Sequence, residues 1–171
     1  MTDAIKKYRR NGLIIAFLIF LTDQIMKHIV MHIIGLRGKG QIELLPFFNL
    51  TWAENYGVSM GMLTASSDFQ RWALVALTAL IAIAVAVWMW KETAKWDIIA
   101  LSMVLGGAMG NIIDRAMYGY VVDFLDLHIN GFRPFLIFNV ADASISIGVA
   151  ILLIRALFFA KKENDVQAAD S

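Results

Sequence analysis

Cysteine is absent from this sequence, which excludes disulfide bonds, thiolate metal sites and cysteine nucleophiles. Charge is also scarce: 17% of the 171 residues are charged, against about a quarter in a soluble domain. The net charge of +1 gives no indication of a nucleic-acid partner, and three histidines without an H-E-x-x-H motif argue against a zinc peptidase. Hydrophobic residues, by contrast, make up 59% of the chain. This length and composition predict a single membrane domain, residues 1–171.

Four apolar segments are long enough to cross a bilayer as helices, since about 20 helical residues span its hydrocarbon core. The second of them, Trp72 to Trp90, runs for 19 residues without a charged side chain. The predicted fold class is therefore an α-helical integral membrane protein. Its four transmembrane helices are expected at approximately residues 12–34, 72–90, 97–115 and 138–160.

Basic residues indicate the orientation of these helices. They occur before the first span, between the second and third, and after the fourth, at Lys6, Lys7, Arg9, Arg10, Lys91, Lys95, Lys161 and Lys162. Because cytoplasmic loops are rich in Lys and Arg, we predict cytoplasmic tails at residues 1–11 and 161–171. The outer loops are then 35–71 and 116–137. The polar C-terminal tail is expected to lack regular structure.

An alternative is that residues 1–30 form a cleaved signal peptide. The basic start and the apolar run that follows fit this interpretation. The polar interruption Thr22-Asp23-Gln24 and the absence of a small-x-small cleavage pattern argue against it.

The outer loops contain signals for a small extracytoplasmic β-element. Strand-forming residues follow Pro46, and the pair Asn130-Gly131 between apolar stretches is typical of a hairpin turn. We therefore expect a small β-structure beside the outer ends of the helices.

Five carboxylates lie in or beside the apolar segments, and they are Asp23, Asp97, Asp114, Asp123 and Asp142. A carboxylate at membrane depth is expensive, so each one needs an explanation. If the four helices alternate in direction, Asp123 lies in the loop after span three and Asp142 lies at the start of span four. Both residues are then at the same outer edge of the membrane. Two carboxyl groups at one site share a proton, so one can activate water while the other assists the carbonyl. The pattern therefore indicates an intramembrane aspartyl peptidase.

Spacing alone leaves other interpretations open. Asp123 and Asp142 could be structural, as caps of helix ends. A small transporter could use all of the carboxylates except Asp97 as a proton relay, although a relay needs groups spread across the bilayer and three of these four lie at one edge. A non-catalytic assembly factor is a third interpretation, and it predicts that Asp123→Asn is tolerated.

Other polar residues of the spans fit structural roles. Asp23 and Lys27 are four residues apart with the acid first, which is the favourable order for an ion pair on a helix. Asn111, Asp114 and Arg115 are expected to form a polar cluster that binds the loops at the outer end of span three.

Two glycine patterns also need an interpretation. Gly106 and Gly110 form a small-xxx-small face, which lets two membrane helices approach closely. The run from Gly57 to Gly61 matches G-x-S-x-G, the nucleophile elbow of serine hydrolases, but that elbow requires an α/β sheet. His128 would be the only base on the outer side, with no partner to orient it. A serine mechanism is therefore not expected.

Five motifs, in order along nearly the whole chain, resemble the sequence boxes of one known family. These boxes are D-Q-x-x-K, N-x-G, G-N-x-x-D-R, V-D-F and F-N-x-A-D, matched here by Asp23–Lys27, Asn55–Gly57, Gly110–Arg115, Val122–Phe124 and Phe138–Asp142. Together with four predicted spans, they make the chain resemble the type II signal peptidases, the lipoprotein signal peptidases of bacteria.

The resemblance implies four transmembrane helices with a small outer β-cradle. It also implies an aspartyl endopeptidase that cuts the signal peptide from prolipoproteins just before a diacylglyceryl-modified cysteine. Asp123 and Asp142 would be its catalytic residues. The other matched residues would position the pair, the substrate and the loops, and they are Asp23, Lys27, Asn55, Gly57, Asn111, Asp114, Arg115, Asn139 and Ala141.

The resemblance further implies an enzyme of the bacterial inner membrane that needs no metal or cofactor and is inhibited by the cyclic peptide globomycin. Its partners would be lipid-modified prolipoproteins and membrane lipid, and we expect a monomer. The sequence departs from the family at Val58-Ser59-Met60, where the family commonly has small residues and then an aromatic one. Because methionine is apolar and adaptable, we expect altered packing against substrate and not lost activity.

Overall fold

The computed structural model describes residues 3–57, 68–129 and 132–169, and gives residues 159–169 as backbone. Within these ranges the α-helices are α1 (Asp3–His28), α2 (Leu36–Lys39), α3 (Asp68–Lys91), α4 (Lys95–Tyr118) and α5 (Val140–Ala169). Helix α1 continues into a π-helical turn, Ile29–Ile33. All of the α-helices except α2 are long and apolar enough to cross a membrane, by length and composition. The predicted fold of four membrane helices is confirmed.

Helix α4 is the centre of the bundle. It packs against α1, α3 and α5. In its most apolar stretch 50% of the residues are buried, compared with 11% in the corresponding stretch of α3. The core between these helices includes Ala16, Ala82, Met89, Ile98 and Leu101. Helix α3 packs mainly on α4, and few of its own residues are buried. Most of its side chains therefore face outward, as those of a lipid-facing helix do.

Two helices extend beyond the predicted spans. Helix α1 begins at Asp3, within the basic segment 1–11, and α5 continues to Ala169. The expectation that residues 161–171 lack regular structure is therefore wrong for residues 161–169. The reason lies in composition, because this stretch is rich in the helix formers Lys, Glu, Gln and Ala and contains no Gly or Pro.

The predicted β-element is a three-stranded antiparallel sheet. Its strands are β1 (Gln41–Leu45), β2 (Phe48–Asn55) and β3 (Val121–Leu127), in that spatial order. Asp123 lies on β3, opposite Ala53 of β2, and not in a loop as predicted. The strand gives this aspartate a fixed register within the sheet.

The hairpin predicted after β3 falls partly outside the described residues, because Asn130 and Gly131 are not among them. Their neighbours Ile129 and Phe132 exchange two backbone hydrogen bonds, of 2.8 and 2.9 Å. Ile129 and Phe132 are therefore antiparallel bridge partners.

The sheet packs beside the C-terminal end of α1. Val122 and Phe124 of β3 are fully buried in one apolar cluster with Val30 of the π turn and Leu36 of α2. This packing holds the strand that carries Asp123 against the first membrane helix.

Helix α4 approaches α1 through glycines. A Cβ on Gly106 would lie 2.5 Å from the backbone oxygen of Ala16, and one on Gly110 would collide with the carboxylate of Asp23. The predicted packing role of Gly106 and Gly110 is confirmed. The two helices come into backbone contact because these positions carry no side chain.

Gly106→Ala is expected to destabilise the protein, because the new methyl group would push α1 and α4 apart at the Ala16 carbonyl. Overpacking of this kind costs about 1–3 kcal/mol of unfolding free energy. The measurement is the Tm of the detergent-solubilised protein. Gly38→Ala is the matched control, since no atom lies within 4 Å of a Cβ at Gly38 and its Tm should not fall. Equal Tm values for the two variants would contradict the close contact.

Candidate active site

Lys27 is the centre of a buried ion cluster. Its Nζ lies 2.7 Å from Asp23 Oδ2 and 2.8 Å from Asp114 Oδ2, and all three side chains are at most 3% exposed. Taking these charges out of water is costly, and only close pairing and further hydrogen bonds offset that cost. The predicted ion pair of Asp23 and Lys27 is confirmed, and Asp114 joins it from α4.

The two carboxylates of this cluster also accept backbone hydrogen bonds. Asp23 Oδ1 accepts the Ala141 N–H of α5 at 3.0 Å, and Asp114 Oδ2 accepts the Val122 N–H of β3 at 3.1 Å. The cluster thereby fixes the starts of α5 and β3 relative to α1 and α4. These are the two elements that carry the predicted catalytic aspartates.

Gln24 completes the cluster, although only its neighbour Asp23 was predicted as a site residue. Gln24 Nε2 donates to Asp114 Oδ1 at 3.1 Å, and it lies 3.3 Å from Asp23 Oδ2 and 3.4 Å from Gly110 O. The available signal was its place in the polar interruption of the first span. A polar side chain at membrane depth usually has a partner within the bundle.

Two asparagines connect the ion cluster to the predicted pair. Asn111 Oδ1 accepts hydrogen bonds from Lys27 Nζ at 3.3 Å and from Asn139 Nδ2 at 3.1 Å. Asn111 Nδ2 donates to Asp142 Oδ1 at 2.8 Å. Asn139 Nδ2 donates to Asp123 Oδ1 at 2.7 Å. A continuous chain of hydrogen bonds therefore joins the buried lysine to both aspartates.

Asp142 lies in the first turn of α5. Its backbone N–H donates to Asn139 Oδ1 at 2.8 Å, while its Oδ2 accepts the Asn139 N–H at 3.2 Å. This reciprocal arrangement is a capping box, and a helix N-terminus favours a negative charge at this position. The structural interpretation of Asp142, as a residue that bonds a backbone N–H at the start of its helix, is therefore confirmed.

Asp123 is 2% exposed on β3. Its Oδ2 accepts a hydrogen bond from Asn55 Nδ2 at 3.1 Å, and Asn55 Oδ1 in turn accepts the Gly57 N–H at 3.1 Å. Burial, with a further contribution from the negative charge of Asp142, raises the pKa of Asp123 to about 7. The hydrogen bonds from Asn55 and Asn139 act in the opposite direction without cancelling this effect. Asp123 can therefore hold a proton near neutral pH.

Arg115 adds a positive charge beside the site. Its Nη1 donates to Asn111 O at 3.4 Å, and its charge acts on the carboxylates of Asp114, Asp123 and Asp142. With Arg115 and the buried Ala141, the structure brings all of the predicted site residues together at the end of the bundle where the sheet lies.

The remaining candidates lie elsewhere. Asp97, in the first turn of α4, pairs with Arg155 of α5 at 2.5 Å and is not part of the site. The G-x-S-x-G serine and the departure Val58-Ser59-Met60 lie outside the described residues. Within residues 3–57, 68–129 and 132–158, whose side chains the structure describes, no three His, Asp or Glu side chains form a group that could hold a metal ion.

The fold and the site together define a class of protein. Four apolar helices make it a multi-pass membrane protein, and its most buried polar residues converge at one end of the bundle. At that end, Asp123 and Asp142 share Asn139 as a hydrogen-bond partner, and the pKa of Asp123 is raised to about 7. The class is therefore a multi-pass membrane protein with two carboxyl groups at one polar site.

Comparison with known proteins identifies the family. The model of the signal peptidase (SPase) II family matches residues 15–158, and the chain therefore belongs to the signal peptidase II family. The lipoprotein signal peptidase of Sphingopyxis alaskensis is 56% identical, and that of Rhizorhabdus wittichii is 52% identical. Each match covers 100% of this chain and 99% of the relative. A solved bacterial membrane enzyme has a TM-score of 0.74 at 33% identity, covering 86% of this chain and 93% of its own.

Family membership bears on two of the interpretations that spacing left open, the transporter and the assembly factor. The chain is a multi-pass membrane peptidase, as the resemblance of its five motifs predicts. Because the family is one of peptidases, membership in it argues against both the proton-relay transporter and the non-catalytic assembly factor.

Lys27→Ala is expected to destabilise the protein strongly, because it leaves Asp23 and Asp114 buried without their cation. Breaking a buried pair costs about 3–5 kcal/mol, whereas an exposed pair contributes about 0–1 kcal/mol. Arg37→Ala is the matched control, since it removes the exposed partner of Glu54. The measurement compares the fall in Tm of the two variants, relative to the wild type, in detergent. Equal, small falls in Tm for the two variants would show that the buried cluster does not stabilise the fold.

Proposed function

We propose that this chain is an aspartyl endopeptidase that removes the signal peptide from diacylglyceryl-modified prolipoproteins, cutting just before the lipidated cysteine. Asp123 and Asp142 are its catalytic pair. One observation carries the proposal: Asn139 binds both aspartates, Asp123 through its side-chain amide at 2.7 Å and Asp142 through its backbone N–H at 3.2 Å. The similarity to lipoprotein signal peptidases supports the substrate class.

Asp123 is assigned the role of acid and Asp142 the role of base. The raised pKa of Asp123, about 7, leaves this carboxyl group about half protonated at neutral pH and mostly protonated below it. Asp142 is placed as the base because its carboxylate accepts hydrogen bonds from Asn111 Nδ2 and the Asn139 N–H, which hold it in position at the start of α5.

The reaction follows from these two assigned roles. Asp142 takes a proton from water as the water oxygen bonds to the scissile carbonyl carbon, and Asp123 gives its proton to the carbonyl oxygen. The tetrahedral intermediate collapses when the C–N bond breaks. The amide nitrogen leaves with the proton held by Asp142, and Asp123 recovers a proton from the hydroxyl group. The pair returns to its initial state, and no covalent bond to the enzyme forms.

The other site residues are assigned the role of positioning the two aspartates, and they do so in two ways. Three amide side chains, those of Asn55, Asn111 and Asn139, hold the two carboxyl groups in place. Buried charges and small residues fix the elements on which these amides lie, and they are Asp23, Lys27, Gly57, Asp114, Arg115 and Ala141.

We also propose a location in the bacterial inner membrane, with both termini in the cytoplasm and the site near the outer face. The basic residues before α1 and between α3 and α4 support this orientation. An apolar groove of about 310 Å³ lies between α1, α4 and α5, lined in part by Leu18, Val140 and Ile147. Such a groove would let the acyl chains of the substrate enter from the bilayer and hold the scissile bond at the pair. Globomycin-type peptides would compete for the same site, and a monomer contains every group that the reaction needs.

Asp123→Asn and Asp142→Asn should each abolish cleavage, with a loss of at least about 10³-fold in rate, because neither amide can exchange the required proton. The assay is cleavage of a diacylglyceryl-modified prolipoprotein by purified protein in detergent, without added metal. Asp126→Asn is the matched control: this residue lies on the same strand and is buried, but it binds Arg133, and its loss should leave cleavage largely intact.

Two results would argue against the pair. Activity that survives in either catalytic variant would remove that residue from the chemistry. Cleavage of the unmodified prolipoprotein at the same rate as the lipidated one would remove the lipid from substrate recognition.

The rate should also depend on pH in a defined direction. Above pH about 7, Asp123 loses its proton and the site lacks an acid, so kcat/KM should fall as pH rises, by about tenfold per unit at the limit. The measurement is the pH profile of kcat/KM with the lipidated substrate. Asn55→Ala removes a hydrogen bond that favours the ionised form, so its alkaline limb should move to higher pH. A wild-type profile that stays flat up to pH about 9 would contradict the acid role of Asp123.

A further inference from the structure

The last turn of α4 is bound by an arginine of the neighbouring helix α3. Arg71, near the start of α3, donates from Nε to Arg115 O at 2.9 Å and from Nη2 to Ala116 O. Both acceptors are among the last four carbonyl groups of α4, which no following turn of the helix can bind. A positive charge at this end also interacts favourably with the helix dipole. Arg71 is therefore a side-chain cap of α4.

Two further contacts hold the Arg71 side chain at this place. Its Cδ lies 3.7 Å from the position of a Cβ on Gly119, and its guanidinium lies 5.3 Å from the centre of the Trp72 ring. Gly119 is the C-cap of α4, with a φ of 85°, and its N–H donates to Arg115 O at 3.1 Å. The Arg115 carbonyl thus accepts two hydrogen bonds at the point where the helix ends.

The residue that Arg71 binds through its carbonyl also carries the positive charge of the site. The guanidinium of Arg115 acts on the carboxylates of Asp142, Asp123 and Asp114. Within the part of the chain that the structure describes, its only hydrogen bond runs from Nη1 to Asn111 O at 3.4 Å, and its Nε has no partner. Side-chain hydrogen bonds therefore do little to locate this charge, and its position depends on the turn of α4 that carries it.

We propose that Arg71 is a positioning residue of the cleavage reaction: by binding the end of α4, it holds the guanidinium of Arg115 beside the aspartate pair. The inference rests on the proposed function of Asp123 and Asp142. Strand β3 begins at Val121, three residues after the last residue of α4, so the same contact restrains the strand that carries Asp123. Arg71 itself is assigned no contact with substrate and no proton transfer.

Displacement of Arg115 has an electrostatic consequence that can be measured. Besides Arg115, the groups that act on Asp123 or on Arg115 are Lys27 of α1, Asp114 of α4, Asp142 of α5 and the side-chain amides of Asn55 and Asn139. A nearby cation favours the ionised form of a carboxyl group and lowers its pKa. If Arg115 moves away, the pKa of Asp123 rises above about 7, and this group keeps its proton to higher pH.

The test measures kcat, KM and the pH profile of the full-length protein in detergent with the lipidated substrate. Arg71→Met keeps an unbranched side chain and loses both hydrogen bonds. We expect kcat to fall about tenfold, because a misplaced charge stabilises the transition state less. KM should change by less than about twofold, since Arg71 is not part of the groove proposed for the acyl chains. The alkaline limb of the pH profile should move to higher pH.

A double-mutant cycle with Arg115 separates positioning from a purely structural role. Arg115→Met should lower kcat and move the alkaline limb in the same direction as Arg71→Met does. In the Arg115→Met background, Arg71→Met should change neither quantity further, because two residues that act through one charge are not additive. A purely structural cap would lower the Tm in both backgrounds and leave kcat of the folded protein unchanged.

Arg133→Met is the matched control. This arginine also donates two side-chain hydrogen bonds, at 2.8 and 2.9 Å, but to Asp126. Because side chains alternate along a strand, Asp126 and Asp123 lie on opposite faces of β3. The control variant should keep the kcat and the alkaline limb of the wild type.

Two outcomes would overturn the inference: an Arg71→Met variant with the kcat and alkaline limb of the wild type, or effects of Arg71→Met and Arg115→Met that add. If Arg71→Met does not fold, Arg71→Lys decides. Lysine keeps the charge without the planar fork that binds two carbonyl groups, so it should show smaller changes in the same directions. Wild-type kcat and limb in Arg71→Lys would then overturn the inference.

The aspartate variants separate this inference from the proposed function. If Asp123→Asn or Asp142→Asn remains active, the proposed function fails, and the inference fails with it. If both lose activity while Arg71→Met behaves as the wild type does, the catalytic pair stands and only the positioning role of Arg71 is wrong.

Discussion

The pairing of one buried lysine with two aspartates is the interaction on which the rest of the structure depends. Lys27 can neutralise only one of the two charges on Asp23 and Asp114, so the carboxylates need further donors inside the bundle. The backbone N–H groups of Ala141 and Val122 supply them. The hydrogen bonds that make the buried charges tolerable are therefore the same bonds that locate α5 and β3. The contacts that compensate the buried charges therefore also set the geometry of the site.

The amide side chains of the site show why asparagine serves better there than a charged or an apolar residue. Asn55, Asn111 and Asn139 each hold an aspartate through Nδ2, which leaves Oδ1 free to accept a second hydrogen bond. The three second donors are the Gly57 N–H, Lys27 Nζ and the Asp142 N–H, respectively. An aspartate at these positions would repel the pair, and a leucine would leave both partners without a hydrogen bond.

Most of the fold and the site could be predicted from sequence because charged residues within apolar spans are conspicuous. Asp23, Lys27 and Asp114 stand out through the cost of burying them, and hydropathy alone marks the four helices. Strand β3 could not be predicted in the same way, because Asp123 interrupts its apolar pattern and its partner strand β2 is distant in sequence. Gln24 was missed because its role depends on α4, which local sequence does not reveal.

Helices α1 and α4 alone supply Lys27, Asp23 and Asp114. These two helices are separated in sequence by α3, so the ion cluster forms only when the chain has folded back through α3 and α4. The two backbone donors that complete it, the Val122 and Ala141 N–H groups, lie later still in the sequence. A chain truncated after α4 would therefore contain all three charges without these donors, so the last helix completes the charge compensation of the first.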